Sequence, residues 1–106
     1  MKLVTAELLN EITSRIVEAV APYKVILFGS HAWGGAGESS DVDLLVIVRH
    51  SEELPYRRAR KIYRCLRGIG VPLDIIVQTQ HELERSNKVA TSLARAALEK
   101  GRVLYG

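Results

Sequence analysis

Phe28-Gly29-Ser30-His31-Ala32-Trp33-Gly34-Gly35-Ala36-Gly37-Glu38-Ser39-Ser40-Asp41-Val42-Asp43-Leu44 is the stretch from which the rest of the chain is read. An apolar run, Val25 to Phe28, leads into Gly-Ser. A glycine-rich connector follows. A second apolar run, to Val48, opens with two aspartates one residue apart. Neither run alternates, so both read as strands covered on both faces.

Outward from this centre the chain alternates helix and strand. Upstream, Leu8, Leu9, Ile12, Ile16, Val17 and Val20 recur at three- and four-residue spacing, which predicts a helix from Thr5 to about Ala21. Thr5 suits its N-cap and Pro22 ends the pattern. Downstream, Ser51 reads as the N-cap of a second long helix, with Glu52 and Glu53 at the positive end of its dipole. Ala59, Ile62, Tyr63, Leu66 and Ile69 form its apolar stripe. Arg57, Arg60, Lys61, Arg64 and Arg67 lie opposite, and Gly68 and Gly70 end it. Val71 to Val77 reads as a third strand with Asp74 inside it. Thr79 and Glu82 match a capping box that opens a helix or helix pair reaching Lys100, with a break at Ser86-Asn87. Leu93, Ala96 and Ala97 give that region a narrow apolar seam, and Gly101 suits its C′ position. Arg102 to Tyr105 makes a short final edge strand. The expectation is one α/β domain over 1–106: a small mixed β-sheet with flanking helices.

The polar residues constrain strand direction. Asp41 and Asp43 are two apart on a strand, so their side chains share a face, with Cβ atoms about 6–7 Å apart at ~3.3 Å rise per residue. Ser30 follows the end of the first strand while Asp41 begins the second. Parallel strands would separate those ends by a strand length, on the order of 20 Å; an antiparallel pair brings them together. The second and third strands are joined through a helix, which suits a parallel crossover and carries Asp74 alongside Asp43. Three carboxylates then converge beside Gly29-Ser30.

Such a patch suits phosphates and metal ions. Gly29 allows close backbone approach, and Ser30 offers a hydroxyl and an N–H at a helix start. Hard oxygen donors favour Mg²⁺, with Mn²⁺ as the alternative, and Cys65 and the three histidines show no zinc-ligand spacing. Two ions bridged by Asp41 and Asp43 would hold a triphosphate, while Asp74 would bind the second ion and take a proton from an attacking hydroxyl. No Lys lies between Gly29 and Ser40, which excludes a Walker loop.

Gly29-Ser30-x-Ala32-x-Gly34, Ser40-Asp41-x-Asp43-Leu44 and the later Asp74 together resemble the DNA polymerase β-type nucleotidyltransferase superfamily. The short length and the ending Ala97 to Tyr105 are similar to its minimal nucleotidyltransferases. The resemblance implies a palm-like nucleotidyltransferase fold, Gly29 and Ser30 on the nucleotide phosphates, and Asp41, Asp43 and Asp74 as catalytic metal ligands. It implies transfer of a nucleoside monophosphate, AMP from ATP, to a hydroxyl. Trp33 stands where the minimal group often carries Arg. Such minimal chains are commonly paired with small all-helical HEPN proteins, some of them toxins neutralised by adenylylation of a tyrosine. The expected role is therefore an antitoxin of that kind. The alternative is a module that neutralises a helical partner by contact alone. A chain with so little beyond its catalytic core must borrow an acceptor surface, from such a partner or by homo-oligomerising.

Composition agrees with these expectations. The 106 residues are 47% hydrophobic with a net charge of +3. That charge is too mild to argue for nucleic acid by itself, and the Arg57 to Arg67 face reads first as a solvated helix surface. One cysteine excludes an internal disulfide, no run approaches the ~20 apolar residues of a membrane span, and the N-terminus turns acidic too soon for a signal sequence. The expected location is the cytoplasm. His31 reads as an incidental loop histidine, Trp33 as a packing anchor, and Gly34, Gly35 and Gly37 as turn residues.

Overall fold

The structure, a computed structural model, describes residues 4–33, 41–51, 53, 55–86, 97 and 99–106, without the side chains of Ser30, Trp33, Pro55, Tyr56 and Ser86. In chain order its elements are α1 (Ala6–Val20), β1 (Lys24–Phe28), α2 (Ser30–Trp33), β2 (Val42–Val48), α3 (Pro55–Cys65), β3 (Leu73–Thr79), α4 (Gln80–Ser86) and β4 (Arg102–Tyr105). The expected turns at Gly34, Gly35 and Gly37, Ser40, Glu52, the break at Asn87 and the seam residues Leu93 and Ala96 lie outside the described residues.

α1 starts where Thr5 accepts the Leu8 N–H at 3.1 Å. It stops at Ala21, which turns left-handed at φ 45° and donates its N–H to the Val17 carbonyl. Buried Pro22 then cannot continue the helix. Leu8, Leu9, Ile12 and Ile16 form its buried stripe.

The four strands make one mixed sheet in the order β3-β2-β1-β4. β1 and β2 are antiparallel, β2 and β3 parallel, as the placement of the polar residues requires. Both faces of the central strands are covered. Val25, Leu27, Val42, Leu44 and Val46 pack with α1 and with Ile62, Leu66 and Ile69. Ile26, Phe28, Leu45 and Ile47 pack on the other face with Ala97, Ile76 and Leu83. Side chains alternate along β2, so Asp43 projects from that second face, away from α1 and α3. β3 is an edge strand, and its burial accordingly alternates instead of running continuous.

Four expectations are corrected. α3 begins at Pro55, not Ser51; Ser51 Oγ accepts the Glu53 N–H at 3.2 Å, a local turn rather than a cap. Proline favours a first helical position because its fixed φ suits a helix and its missing N–H would have no partner there. Asp41 precedes β2 instead of opening it. The third strand runs Leu73–Thr79 rather than Val71 to Val77. Its pairing is entered by Val42 N–H donating to the Pro72 carbonyl at 2.9 Å. Tyr63 does not join the apolar stripe: it is 42% exposed, and its hydroxyl accepts the Ile75 N–H at 2.9 Å.

The capping box forms as read. The Glu82 N–H donates to Thr79 Oγ1 at 3.2 Å, and the Thr79 N–H donates to Glu82 Oε1 at 2.9 Å. Arg58 donates to the same carboxylate. The Thr79 N–H holds the Glu82 carboxyl below its ordinary value of 4.5; burial opposes this and Arg58 reinforces it. A depressed folded-state pKa stabilises the fold above the unfolded value and ceases to as pH falls through the folded one. Glu82→Gln is therefore expected to lower Tm at neutral pH and to flatten the fall of Tm below pH 4.5. Thermal melts of both proteins from neutral pH to pH ~3 check this; parallel acid limbs would contradict it.

Candidate active site

Phe28 pairs with Asp43, and Asp43 pairs with Asp74, in three adjacent strands. The register therefore places the end of β1, the start of β2 and the start of β3 in one row at one pole of the sheet. Gly29 follows Phe28 directly. It is buried at φ 75°, a left-handed backbone that side chains rarely adopt. A Cβ there would lie 3.0 Å from Asp43 Cγ and closer still to Asp43 Oδ2. The space a side chain would need at Gly29 is thus filled by the Asp43 carboxylate. Gly29 and Asp43 are one contact, and that is why this turn needs glycine.

α2 begins at Ser30, and the Ala32 N–H donates to the Gly29 carbonyl at 3.0 Å. The Ser30 backbone therefore stands beside the carboxylates; its hydroxyl lies outside the described side chains. Asp43 is half-buried, while Asp41 and Asp74 are exposed. Burial pushes the Asp43 carboxyl above its ordinary value, and the negative charges of Asp74 and then Asp41 push it further. His31, half-buried on α2, acts in the opposite direction. Asp41 and Asp74 are thus both brought within electrostatic reach of Asp43. His31 reads from the sequence as an incidental loop histidine, yet on α2 it lies within electrostatic reach of Asp43. Its position two residues after Gly29, on a turn that folds back over β2, was the available signal.

Mutual repulsion among hard oxygen donors calls for a cation, and the donor set fits Mg²⁺ or Mn²⁺ by chemistry. As the side chains stand, no three His, Cys, Asp or Glu among the described residues converge on a shared metal position. The fit therefore rests on donor type and on the uncompensated charge around Asp43.

A cavity of about 570 Å³ lies at the opposite end of the sheet, lined among others by Val20, Val48, His50, Arg58 and Lys61. None of the three aspartates lines it, so this hollow and the polar chemistry are separate. No helix among the described residues is long and apolar enough to cross a membrane.

Residues 7–104 match the family described as "Nucleotidyltransferase domain". A protein of Methanocaldococcus jannaschii, named "Putative protein adenylyltransferase", is 35% identical over 82 residues, which are 77% of each chain. Among solved structures, a "putative nucleotidyltransferase" from Sulfolobus solfataricus superposes with a TM-score of 0.64 at 23% identity, over 92% of this chain and 76% of that one. A chain from a crystal structure of a toxin-antitoxin with AMP-PNP gives 0.69 at 19% identity, over 92% and 73%. At those identities the two structures speak for the fold.

Proposed function

From the chain's membership of the nucleotidyltransferase domain family, to which it belongs over residues 7–104, we propose that this nucleotidyltransferase moves AMP from ATP to a protein hydroxyl. The acceptor we infer is a tyrosine of a small helical HEPN-type toxin in the cytoplasm, with this chain as the antitoxin. The observation that carries the reading is the row Phe28, Asp43, Asp74, closed by the contact of Gly29 with the Asp43 carboxylate. A protein acceptor is supported by the name of the archaeal relative, and a toxin partner by the toxin-antitoxin source of one structural neighbour.

In this reading Gly29 and Ser30 present backbone to the triphosphate. Asp41, Asp43 and Asp74 would hold two Mg²⁺ ions, which when bound would neutralise phosphate charge and favour the attacking oxygen. Asp74, which is exposed at the sheet edge, takes the proton of the incoming hydroxyl in this reading. His31 tempers the charge at Asp43 before ATP arrives. The oxygen–phosphorus bond to the acceptor forms as the bond to pyrophosphate breaks.

Incubation with α-labelled ATP, Mg²⁺ and the protein encoded beside this chain tests the proposal. The expected result is a mass gain of one or more AMP units on that partner, absent with Asp41→Ala. A partner neutralised equally well by Asp41→Ala, with no label transferred, would show neutralisation by contact alone.

A further inference from the structure

α3 carries a cationic stripe that the transfer chemistry does not use. At 100° per residue, Arg57, Arg60, Lys61 and Arg64 fall within an arc of about 100° on α3, opposite buried Ile62, and Arg67 follows in the turn that ends the helix. Arg60, Lys61, Arg64 and Arg67 are all exposed. The sequence has no Asp or Glu from Pro55 to Leu73, and among the described residues none of those four cations is in an ion pair. Nor are they needed to finish their own helix. Arg15 of α1 reaches the carbonyls of Cys65 and Arg67, each at 3.4 Å.

The stripe is also keyed to the catalytic strand. The Tyr63 hydroxyl, on the flank of α3, accepts the N–H of Ile75, the residue after Asp74. The Arg64 and Arg67 end of the stripe is therefore fixed relative to the pole that holds the aspartates.

We propose that this face of α3 docks an acidic segment of the protein acceptor and so delivers its hydroxyl to the aspartate pole. The proposal rests on the reading of the acceptor as a protein. Complementary charge is what recognises the partner: arginines in a row hold carboxylates bidentately and speed encounter. A nucleic-acid strand fits less well, because no aromatic ring interleaves with the cations as a stacking platform and the Tyr63 ring is tied by its hydroxyl.

The test is binding of a fluorescent, glutamate-rich Glu/Tyr copolymer to the full chain without nucleotide, followed by AMP transfer to the same polymer. Arg60→Glu with Arg64→Glu is expected to weaken binding about tenfold or more and to lower kcat/KM by the same factor through KM. The control Arg85→Glu with Arg102→Glu makes the same charge change at exposed positions on α4 and β4 and should leave binding unaltered. Circular dichroism establishes that both double variants fold. No binding by the wild-type chain, equal losses in the two double variants, or tighter binding of poly-uridylate than of the acidic copolymer would each overturn the proposal. Specific binding without AMP transfer would leave the docking surface standing and sink the adenylyl-transfer reading.

Discussion

Asp43→Asn is expected to abolish nucleotidyl transfer while leaving the protein folded and at least as stable in metal-free buffer. The two effects have one cause. Asp43 is half-buried, faces the charges of Asp74 and Asp41, and is opposed only in part by His31. Ionised Asp43 is thus a cost to the empty fold. Asparagine keeps the shape that fills the space beside Gly29 and removes the repulsion. In the proposed reaction the same negative charge would hold the divalent ion, and the ion in turn would neutralise the triphosphate. Metal-assisted charge stabilisation contributes several kcal/mol to such reactions, so at 1.36 kcal/mol per tenfold the expected loss is about 10³-fold or more. AMP transfer and a thermal melt in EDTA measure the two sides. Retained activity, or a large fall in Tm, would show that Asp43 is a structural acid instead of a catalytic one.

Gly29→Ala should do nearly as much damage by a different route, and Gly68→Ala separates its causes. Both glycines have positive φ, 75° and 85°. A Cβ at Gly68 meets nothing within 4 Å, whereas one at Gly29 runs into the Asp43 carboxylate. Forcing a left-handed backbone on alanine costs about 1–2 kcal/mol, so both variants should lose that much stability. Only Gly29→Ala must also push Asp43 aside. A displacement of ~1 Å at a reacting group costs about 10²-fold, so Gly29→Ala should lose activity by that factor or more while Gly68→Ala stays close to wild type. Equal kinetics for the two variants would mean that the Gly29 contact does not position Asp43.

Much of this site is legible in the chain because its residues are close in sequence or demanded by topology. Gly29 and Ser30 end one apolar run, Asp41 and Asp43 begin the next, and only an antiparallel step joins them. Asp74 follows a helix, so a parallel crossover puts it beside Asp43. Other features resisted reading because they depend on partners distant in sequence. Tyr63 falls on the apolar side of its helix by periodicity, yet it sits over an edge strand, where the Ile75 N–H donates to its hydroxyl. Ser51 looks like a cap, but Pro55 is where the helix can begin. His31 is unremarkable until α2 folds back toward Asp43.

Residue pattern alone thus determined the alternation of helices and strands, the mixed sheet and the pairing of Asp43 with Asp74, because periodicity and connection length leave few ways to cover these strands. Tertiary structure alone decided that the Asp43 carboxylate fills the space at Gly29, that Asp43 feels three neighbouring charges, and that Tyr63 ties α3 to Ile75, the residue after Asp74. Those are contacts of ångström scale across separate elements, and local sequence preference carries no information about them.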